Sequence, residues 1–308
     1  MQNTCIALIG LGAIGTPLAH LLWKKYCDDF ILLADDVHAD RLRSKKMSIN
    51  GEEFSPQVVS HKDDLKKPIK VVFICVKNYS LESSTQCLKE LITDETIIVP
   101  LQNGVYSYQF MRSHFPDNII LEGFAQGPNT TITEDGFEYQ NPGEYHIGSY
   151  FNHHIESLKD VYTILTDVGI KCYWDEDIVH SIWKKLMLNV AGNALTALTG
   201  INYSMFKNSP EAQKICRIIM REFKFVAALE DILITEDDIE DVMNYFLSYK
   251  ESKHTSMLED VLNKRMTENE YIAGYIRGLA EKNNVDAPFI DMIYSLMKIK
   301  EDVYSGMI

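Results

Sequence analysis

The stretch that most constrains the fold lies near the start of the chain, where "CIALIGLGAIGTPLAHLLWKK" covers residues 5–25. A run of apolar residues leads into Gly10, Gly12 and Gly15, and an amphipathic pattern of leucines follows them. A strand that turns on glycines directly into a helix is the beginning of a βαβ unit. The stretch therefore predicts a parallel sheet covered by helices.

The rest of the first half repeats this alternation of short β-branched runs and helical patterns. Because parallel strands need long crossover connections, the alternation predicts an α/β, Rossmann-type, doubly wound sheet with helices on both faces. The alternation stops around residues 131–149, where polar residues and turn formers are frequent. Pro142-Gly143 in this segment predicts a turn between two short edge strands. The predicted strands of the parallel sheet are 5–9, 30–33, 71–76, 96–100 and 118–122, the predicted helices include 14–26, 81–91 and 152–168, and a last strand is expected at 170–173.

The second half has helical periodicity throughout and no strand signals. We therefore expect two domains, residues 1–176 with the sheet and residues 177–308 as an all-α domain, with a ligand held in the cleft between them. The predicted helices of the second domain are 178–198, 210–228, 239–249, 267–282 and 289–302.

Charge and composition exclude some classes of protein. The formal net charge of -14 argues against nucleic acid as a partner, because a phosphate backbone needs a basic surface. No apolar stretch approaches the roughly 18 residues of a membrane helix, and the N-terminus shows no basic leader. The six cysteines are scattered, which favours buried free thiols in the cytoplasm, and no histidines or cysteines have metal-ligand spacing.

The glycine turn itself suggests a ligand. In the pattern G-x-G-x-x-G, the first glycine permits the tight turn, the second lets the backbone approach a pyrophosphate, and the third lets the helix pack on the strand. The alternative is a tight βα turn that binds nothing. The predicted cofactor-binding residues of the turn are Gly10, Leu11, Gly12, Ala13, Ile14 and Gly15.

Polar residues follow the other predicted strands of the sheet. Asp35 ends the second strand, Lys77 the third, and Gln102-Asn103-Gly104 follows the fourth. Ligands of doubly wound sheets bind outside the carboxyl ends of the strands, so this set predicts a cofactor crevice, although any one of these residues alone would be read as a solvated loop residue.

Asp35 bears on which dinucleotide binds. A carboxylate about twenty residues beyond the glycines accepts hydrogen bonds from a ribose 2′-hydroxyl and repels a 2′-phosphate, which favours NADH over NADPH. A group of cations further along would reverse this preference if it folded over the site: Arg41, Arg43, Lys45 and Lys46.

A second polar pattern lies in "IWKKLMLNVAGNALTAL", residues 182–198, where Lys185, Asn189 and Asn193 recur at every fourth position of an apolar helix. Such spacing places the three side chains in one row. A lysine on a helix is usually solvated, and buried asparagines often satisfy only the local backbone. The alternative is a site in which the ammonium donates a proton to a carbonyl oxygen and the amides bind substrate oxygens.

With these segments placed, the chain resembles the ketopantoate reductase family over nearly its full length. The resemblance rests on "GLGAIG", on "VKNY" with "LQNGV", on "WKKLMLNVAGNALTAL" and on "TSMLEDVLNKRMTENEYIAG" at residues 255–274. It implies a Rossmann domain followed by a helical domain, and reduction of a 2-keto acid to pantoate with NADPH, on the route to pantothenate and coenzyme A.

The resemblance also implies roles for individual residues. Lys185 corresponds to the family's catalytic lysine and Glu268 to its acidic partner, which also contacts the cofactor. Lys77 and Asn103 correspond to positions on the cofactor side. The residues that correspond to substrate-binding positions are Asn103, Asn189, Asn193 and Ser256.

Two residues depart from the family pattern. Family members usually carry an arginine where Asp35 stands, so the choice between NADPH and NADH stays open. Lys253 stands where some members place a substrate-binding asparagine, which leaves the tail of the substrate open. The sequence therefore predicts an NAD(P)H-dependent 2-keto acid reductase, possible as a homodimer. The alternatives are reduction of another 2-keto acid and a non-catalytic nucleotide sensor.

Overall fold

The structure, a computed structural model, has an α/β part followed by an all-helical part, which confirms the predicted fold class. It describes residues 3–44, 47–150, 153–249 and 253–307. The chain forms two compact units, of which the first is Met1–Asn103 with Ser107–Val179 and the second is Gly104–Tyr106 with His180–Ile308.

The centre of the first unit is a five-stranded sheet with the order β5-β2-β1-β6-β7, and all neighbouring strands are parallel. The chain begins in the middle of the sheet, builds outwards to β2 and β5, and then builds β6 and β7 on the other side of β1. The carboxyl end of β1 is therefore the topological switch point, where doubly wound sheets bind ligands. The five strands are β1 (Cys5–Ile9), β2 (Phe30–Leu33), β5 (Gln57–Val59), β6 (Ile69–Ile74) and β7 (Ile97–Pro100).

Helices cover this sheet and bury its apolar strands on both faces. Every residue of β1 is buried, which is why the strand reads as a continuous apolar run. Leu18 and Leu22 of α1 are fully buried in the same core. The helices of the first unit are α1 (Gly15–Tyr26), α2 (Asp36–Ser44), α3 (Leu81–Leu91), α4 (Tyr106–His114) and α5 (Ile155–Asp167).

Two smaller sheets complete the first unit, one with the order β4-β3-β10-β9 and one with the order β12-β11-β8. The sequence indicated only part of them, since three-residue strands carry too little periodicity to be recognised. Their strands are β3 (Met47–Ile49), β4 (Glu52–Phe54), β8 (Glu122–Gln126), β9 (Asn129–Ile132), β10 (Gly136–Asn141), β11 (Glu144–Gly148) and β12 (Lys171–Trp174).

One strand prediction was wrong and another was correct only in part. The segment 118–122 is not a strand of the parallel sheet, because it makes a single bridge there, Ile98 with Ile120, and the chain then enters β8. Pro142-Gly143 does lie between two short strands, β10 and β11, but these strands belong to different sheets and neither is at an edge. Gly143 has a φ of 92°, and a Cβ there would lie 2.9 Å from the carbonyl oxygen of Gln126. Glycine is therefore required at this position, where the chain passes from one sheet to the other.

The second unit consists of helices around an aromatic core, in which the rings of Trp183 and Phe223 lie 5.9 Å apart. The five predicted helices are present, although α10 begins nearly one turn earlier than predicted, at a capping box formed by Thr235 and Asp238. Two short helices, α8 and α11, were not predicted. The helices are α6 (Ile178–Leu188), α7 (Ala194–Thr199), α8 (Tyr203–Lys207), α9 (Pro210–Ala227), α10 (Glu236–Ser248), α11 (Ser256–Leu262), α12 (Asn269–Lys282) and α13 (Pro288–Ser305).

Two composition-based expectations can be compared with the described residues. In that part of the chain, none of the helices has the length and apolarity needed to cross a bilayer. The six cysteines are free thiols, as predicted, but Cys27 is exposed and Cys75 is half-buried.

Candidate active site

The glycine turn at the carboxyl end of β1 is shaped by contacts that exclude side chains. Gly10 has a φ of 101°, and a Cβ there would lie 2.5 Å from the backbone nitrogen of Val76. A Cβ at Gly15 would lie 1.9 Å from the carbonyl oxygen of Gly10. Both glycines are therefore required by the turn itself, whether or not a ligand binds.

Gly12 differs from the other two glycines. A Cβ at Gly12 would have Cys75 as its nearest neighbour, at 3.9 Å, and both Gly12 and Ala13 are exposed. The turn leaves open space beside the first turn of α1, which has no side-chain cap on its N–H groups and no acidic residue. Such a helix N-terminus is suited to an anionic group, so the turn fits the pyrophosphate of a dinucleotide.

Asp35 lies at the carboxyl end of β2, where it also caps α2. Its Oδ1 accepts a hydrogen bond from the backbone N–H of His38 at 2.9 Å, and the imidazole Nδ1 of His38 lies 2.8 Å from the same oxygen. The backbone hydrogen bond, with a further contribution from the imidazole, holds the pKa of Asp35 below its ordinary value. Asp35 is thus an exposed, ionised carboxylate with one oxygen engaged by its own helix.

Of the four cations that follow Asp35 in the sequence, Arg41 and Arg43 lie within the described residues. Arg43 bonds to Asp64 at 3.0 Å and to the carbonyl oxygen of Val58 at 3.0 Å, so its guanidinium is directed along β5. Arg41 is exposed on α2. Lys45 and Lys46 lie outside the described residues.

The loops after β6 and β7 carry the two remaining residues that were predicted for the cofactor side. Lys77 and Asn103 are both half-buried there. The side-chain Nδ2 of Asn78 donates a hydrogen bond to the carbonyl oxygen of Asn103 at 3.0 Å, which links the two loops. No sequence pattern indicates this contact, because Asn78 carries no motif that distinguishes it from a loop asparagine.

In the second unit, Lys185 lies in the last turn of α6 and is half-buried. Burial lowers the pKa of Lys185 from 10.5 to about 8, against the opposing effect of the negative charge of Glu268. Glu268 is itself only 5% exposed and precedes the first turn of α12. The fold thus places these two predicted catalytic residues in electrostatic contact, and it gives Lys185 a pKa near neutrality.

The two asparagines lie on a π-helical turn, Asn189–Asn193, between α6 and α7. Nδ2 of Asn193 donates a hydrogen bond to Oδ1 of Asn189 at 2.9 Å, and both residues are buried. Nδ2 of Asn189 is buried as well, and it has no hydrogen-bond partner among the residues the structure describes. A donor in this state fits a substrate oxygen or an ordered water.

Ser256 is the exposed first residue of α11, and Thr255 positions it. The hydroxyl of Thr255 accepts a hydrogen bond from the backbone N–H of Leu258 and lies 2.8 Å from the hydroxyl of Thr196. Thr196 in turn donates to the carbonyl oxygen of Asn193 at 3.0 Å. This chain of hydroxyls joins the turn that carries the asparagines to the helix that carries Ser256. Thr255 was not predicted as a functional residue, although a threonine at a helix start is a recognisable capping signal in the sequence.

Other polar residues near this region have structural partners. Arg265 pairs with Asp260 at 2.9 Å. His254 contacts Glu259 at 2.8 Å. Lys184 forms an ion pair with Asp238 at 2.9 Å, and Lys253 is exposed.

A doubly wound sheet with a glycine turn at its switch point, followed by a helical unit with a half-buried lysine of lowered pKa, defines the class of Rossmann-fold oxidoreductases. The family model described as "Ketopantoate reductase PanE/ApbA" matches residues 6–152, and the model of its C-terminal part matches residues 177–301. The chain belongs to the ketopantoate reductase family.

Individual relatives agree with this assignment. The 2-dehydropantoate 2-reductase of Streptococcus pyogenes serotype M3 is 25% identical over 97% of this chain and 98% of its own length. The crystal structure of 2-dehydropantoate 2-reductase from Methylococcus capsulatus superposes with a TM-score of 0.83 at 25% identity, over 97% of each chain. D-mandelate dehydrogenase, solved with NADH and anilino(oxo)acetate, has the same fold, with a TM-score of 0.85 at 22% identity over 98% of this chain and 100% of its own.

Proposed function

We propose that the protein reduces a 2-keto acid to the 2-hydroxy acid with NADH or NADPH, and that ketopantoate (2-dehydropantoate) is its substrate, on the route to pantothenate and coenzyme A. The observation that carries this proposal is the half-buried Lys185, whose pKa is lowered, in electrostatic contact with Glu268 and one turn before the paired Asn189 and Asn193. A proton donor with a pKa near neutrality is suited to protonating the alkoxide oxygen that forms when a ketone is reduced.

In this proposal, residues 1–176 bind the dinucleotide and residues 177–308 bind the keto acid. The residues that would hold the dinucleotide are the glycine turn from Gly10 to Gly15, Asp35, Lys77 and Asn103, with Glu268 from the helical part. Asn103 would also contact the keto acid. When bound, the dinucleotide supplies a hydride to the keto carbon.

The protein's own residues supply the remaining steps. The ammonium of Lys185 stabilises the negative charge that develops on the carbonyl oxygen and transfers a proton from Nζ to that oxygen. Nδ2 of Asn189 donates to a substrate oxygen, and Asn193 holds the amide of Asn189 in the required orientation. Ser256 binds the carboxylate, and Glu268 keeps Lys185 in its charged form by raising its pKa.

The test is a measurement of initial rates with ketopantoate, in parallel with NADH and with NADPH. We expect saturable oxidation of at least one of the two, with one pantoate formed for each dinucleotide oxidised. If the protein binds a dinucleotide but oxidises it with no 2-keto acid, the reductase proposal is wrong and a nucleotide sensor remains.

A second substrate within the same chemistry has one observation in its favour. Lys253 is exposed where some family members place a substrate-binding asparagine, so the groups that contact the substrate tail differ. Rates with 2-keto acids that carry branched, hydroxylated or aromatic tails distinguish this candidate. A kcat/KM for any of them above the value for ketopantoate would make that keto acid the substrate.

A further inference from the structure

The carboxylate at the carboxyl end of β2 has an imidazole directly against it. Nδ1 of His38 lies 2.8 Å from Oδ1 and 2.9 Å from Oδ2 of Asp35. Both side chains are open to solvent, with 64% of His38 and 47% of Asp35 exposed. A ligand that reaches Asp35 therefore also reaches His38.

This end of β2 is where a dinucleotide in a doubly wound sheet places the ribose of its adenosine half. NADH presents a 2′-hydroxyl there and NADPH a 2′-phosphate. When His38 is neutral, the pair carries the single negative charge of Asp35 and opposes the phosphate. When His38 is protonated, the pair is neutral overall and its imidazolium can donate to a phosphate oxygen.

We propose that His38 is a specificity-determining residue of the dinucleotide site, whose protonation moves the preference from NADH towards NADPH. This inference rests on the dinucleotide binding in the proposed function. Under this proposal, Asp35 opposes the phosphorylated cofactor only while His38 is neutral.

Other charged and titratable groups surround the pair. Asp36 is adjacent on α2 and is bonded to His61 at 2.8 Å. Arg41 lies one helical turn beyond His38 and is exposed. On α3, Cys87 donates to the carbonyl oxygen of Ala34, and burial, together with Asp35, Glu90 and Asp36, raises the pKa of Cys87 to about 11, so the thiol stays neutral in the pH range of the test.

The experiment measures the dissociation constants of NADH and NADPH by nicotinamide fluorescence at pH 8.5 and at pH 6.5, without a keto acid. For the wild-type protein we expect the ratio of the NADPH constant to the NADH constant to fall about fivefold or more at the lower pH, the order of effect of one added charge a few ångströms away. The 2′-phosphate itself begins to gain a proton near a pKa of about 6, which opposes this change equally in every variant.

Three variants separate the role of His38 from a general charge effect. His38→Gln should reduce the change in the ratio to less than about twofold, and His38→Arg should favour NADPH at both pH values, since an arginine stays charged. His61→Gln is the matched control, because His61 forms the same kind of pair with the neighbouring Asp36, and it should keep the wild-type change.

A wild-type ratio that does not depend on pH, or a His38→Gln variant that behaves like the wild type, overturns the inference and leaves the reductase proposal intact. If His61→Gln loses the pH effect, the effect belongs to the pair of His61 and Asp36, and the inference about His38 is likewise overturned. If the wild-type protein binds neither dinucleotide, the proposed function fails together with the inference.

Discussion

Asn193 donates a hydrogen bond from Nδ2 to Oδ1 of Asn189 at 2.9 Å, within a single π-helical turn of the second unit. This bond fixes which way the amide of Asn189 points, since its oxygen is occupied and its nitrogen is left without a protein partner in the described part of the chain. A buried donor of this kind costs about 1–3 kcal/mol if nothing accepts from it. π-Helical turns are frequent at functional sites, and the arrangement here is consistent with a turn that is kept to present a donor to a ligand.

Replacing Lys185 by alanine should lower kcat with the preferred keto acid by about 10²-fold or more, the usual effect of removing a general acid. The matched control is Lys184→Ala, because Lys184 is the neighbouring lysine and is engaged by Asp238. We expect Lys184→Ala to change kcat by less than about threefold, since surface ion pairs contribute little. Steady-state kinetics on both variants provides the measurement, and wild-type turnover by Lys185→Ala would remove the mechanism.

The lowered pKa of Lys185 predicts a particular pH profile. A general acid must carry its proton, so kcat should be constant at low pH and should fall as the pH rises through about 8, where the ammonium loses its proton. The negative charge of Glu268 raises the pKa of Lys185, so Glu268→Gln should move this fall to lower pH. A profile of log kcat against pH for the wild type and for Glu268→Gln is the measurement. If the fall in kcat occurs at the same pH in both, Glu268 does not act on the pKa of Lys185.

Two glycines of the turn, Gly15 and Gly12, should respond differently to alanine. Gly15→Ala should lower the free energy of unfolding by about 3 kcal/mol or more, because its Cβ would overlap the carbonyl oxygen of Gly10 at 1.9 Å. Gly12→Ala should change the free energy of unfolding by less than about 1 kcal/mol, since its Cβ has open space. It should nevertheless weaken dinucleotide binding at least about tenfold. Urea unfolding of the free protein and a binding titration distinguish the two effects, and unchanged binding in Gly12→Ala would exclude a pyrophosphate at this turn.

Thr255 should matter for both stability and substrate binding. Thr255→Ala removes the cap of α11 and the contact with Thr196, and we expect a loss of about 1–2 kcal/mol in the free energy of unfolding and a raised KM for the keto acid. The control is Thr235→Ala, which removes the cap of α10 and should cost a similar free energy with an unchanged KM. Thr255→Ser should restore both properties, and equal effects of the two alanine variants on KM would show that Thr255 is only structural.

Asp35→Arg should shift the preference towards NADPH, because it replaces a negative charge at the end of β2 by a positive one. It should also lower stability by about 1 kcal/mol, since Asp35 caps α2 through the backbone N–H of His38. Asp35→Asn keeps a capping oxygen without the charge and separates the two effects. The ratio of kcat/KM for the two cofactors is the measurement, and a ratio that stays constant in both variants would mean that Asp35 does not face the ribose.

The pattern of residues predicted the main elements of the fold because their signals are local. The strand, glycine turn and helix at residues 5–26 were correct almost to the residue, and so was the helix at 81–91. These segments have a strong apolar period and clear ends, so their own sequence decides their structure. The match with the two family models confirmed the predicted family.

Pairing between distant segments could not be predicted in this way. The parallel sheet contains β5, which was not predicted and whose three residues carry hardly any pattern, and residues 118–122, which were predicted as a strand of it, form only a single bridge. Whether a short apolar segment joins one sheet or another depends on which edge is available to it, and that is known only when the whole unit is assembled.

The sequence on its own therefore determined the fold class, the glycine turn and the row of Lys185, Asn189 and Asn193, since each follows from the spacing of neighbouring residues. Only the tertiary structure decided the conformation and charge state of these groups. It shows that the row contains a π-helical turn, that the carboxylate of Asp35 contacts the imidazole of His38, and that the pKa of Lys185 is lowered to about 8. The physical reason is that a pKa or a hydrogen-bond orientation depends on burial and on charges brought near from distant parts of the chain.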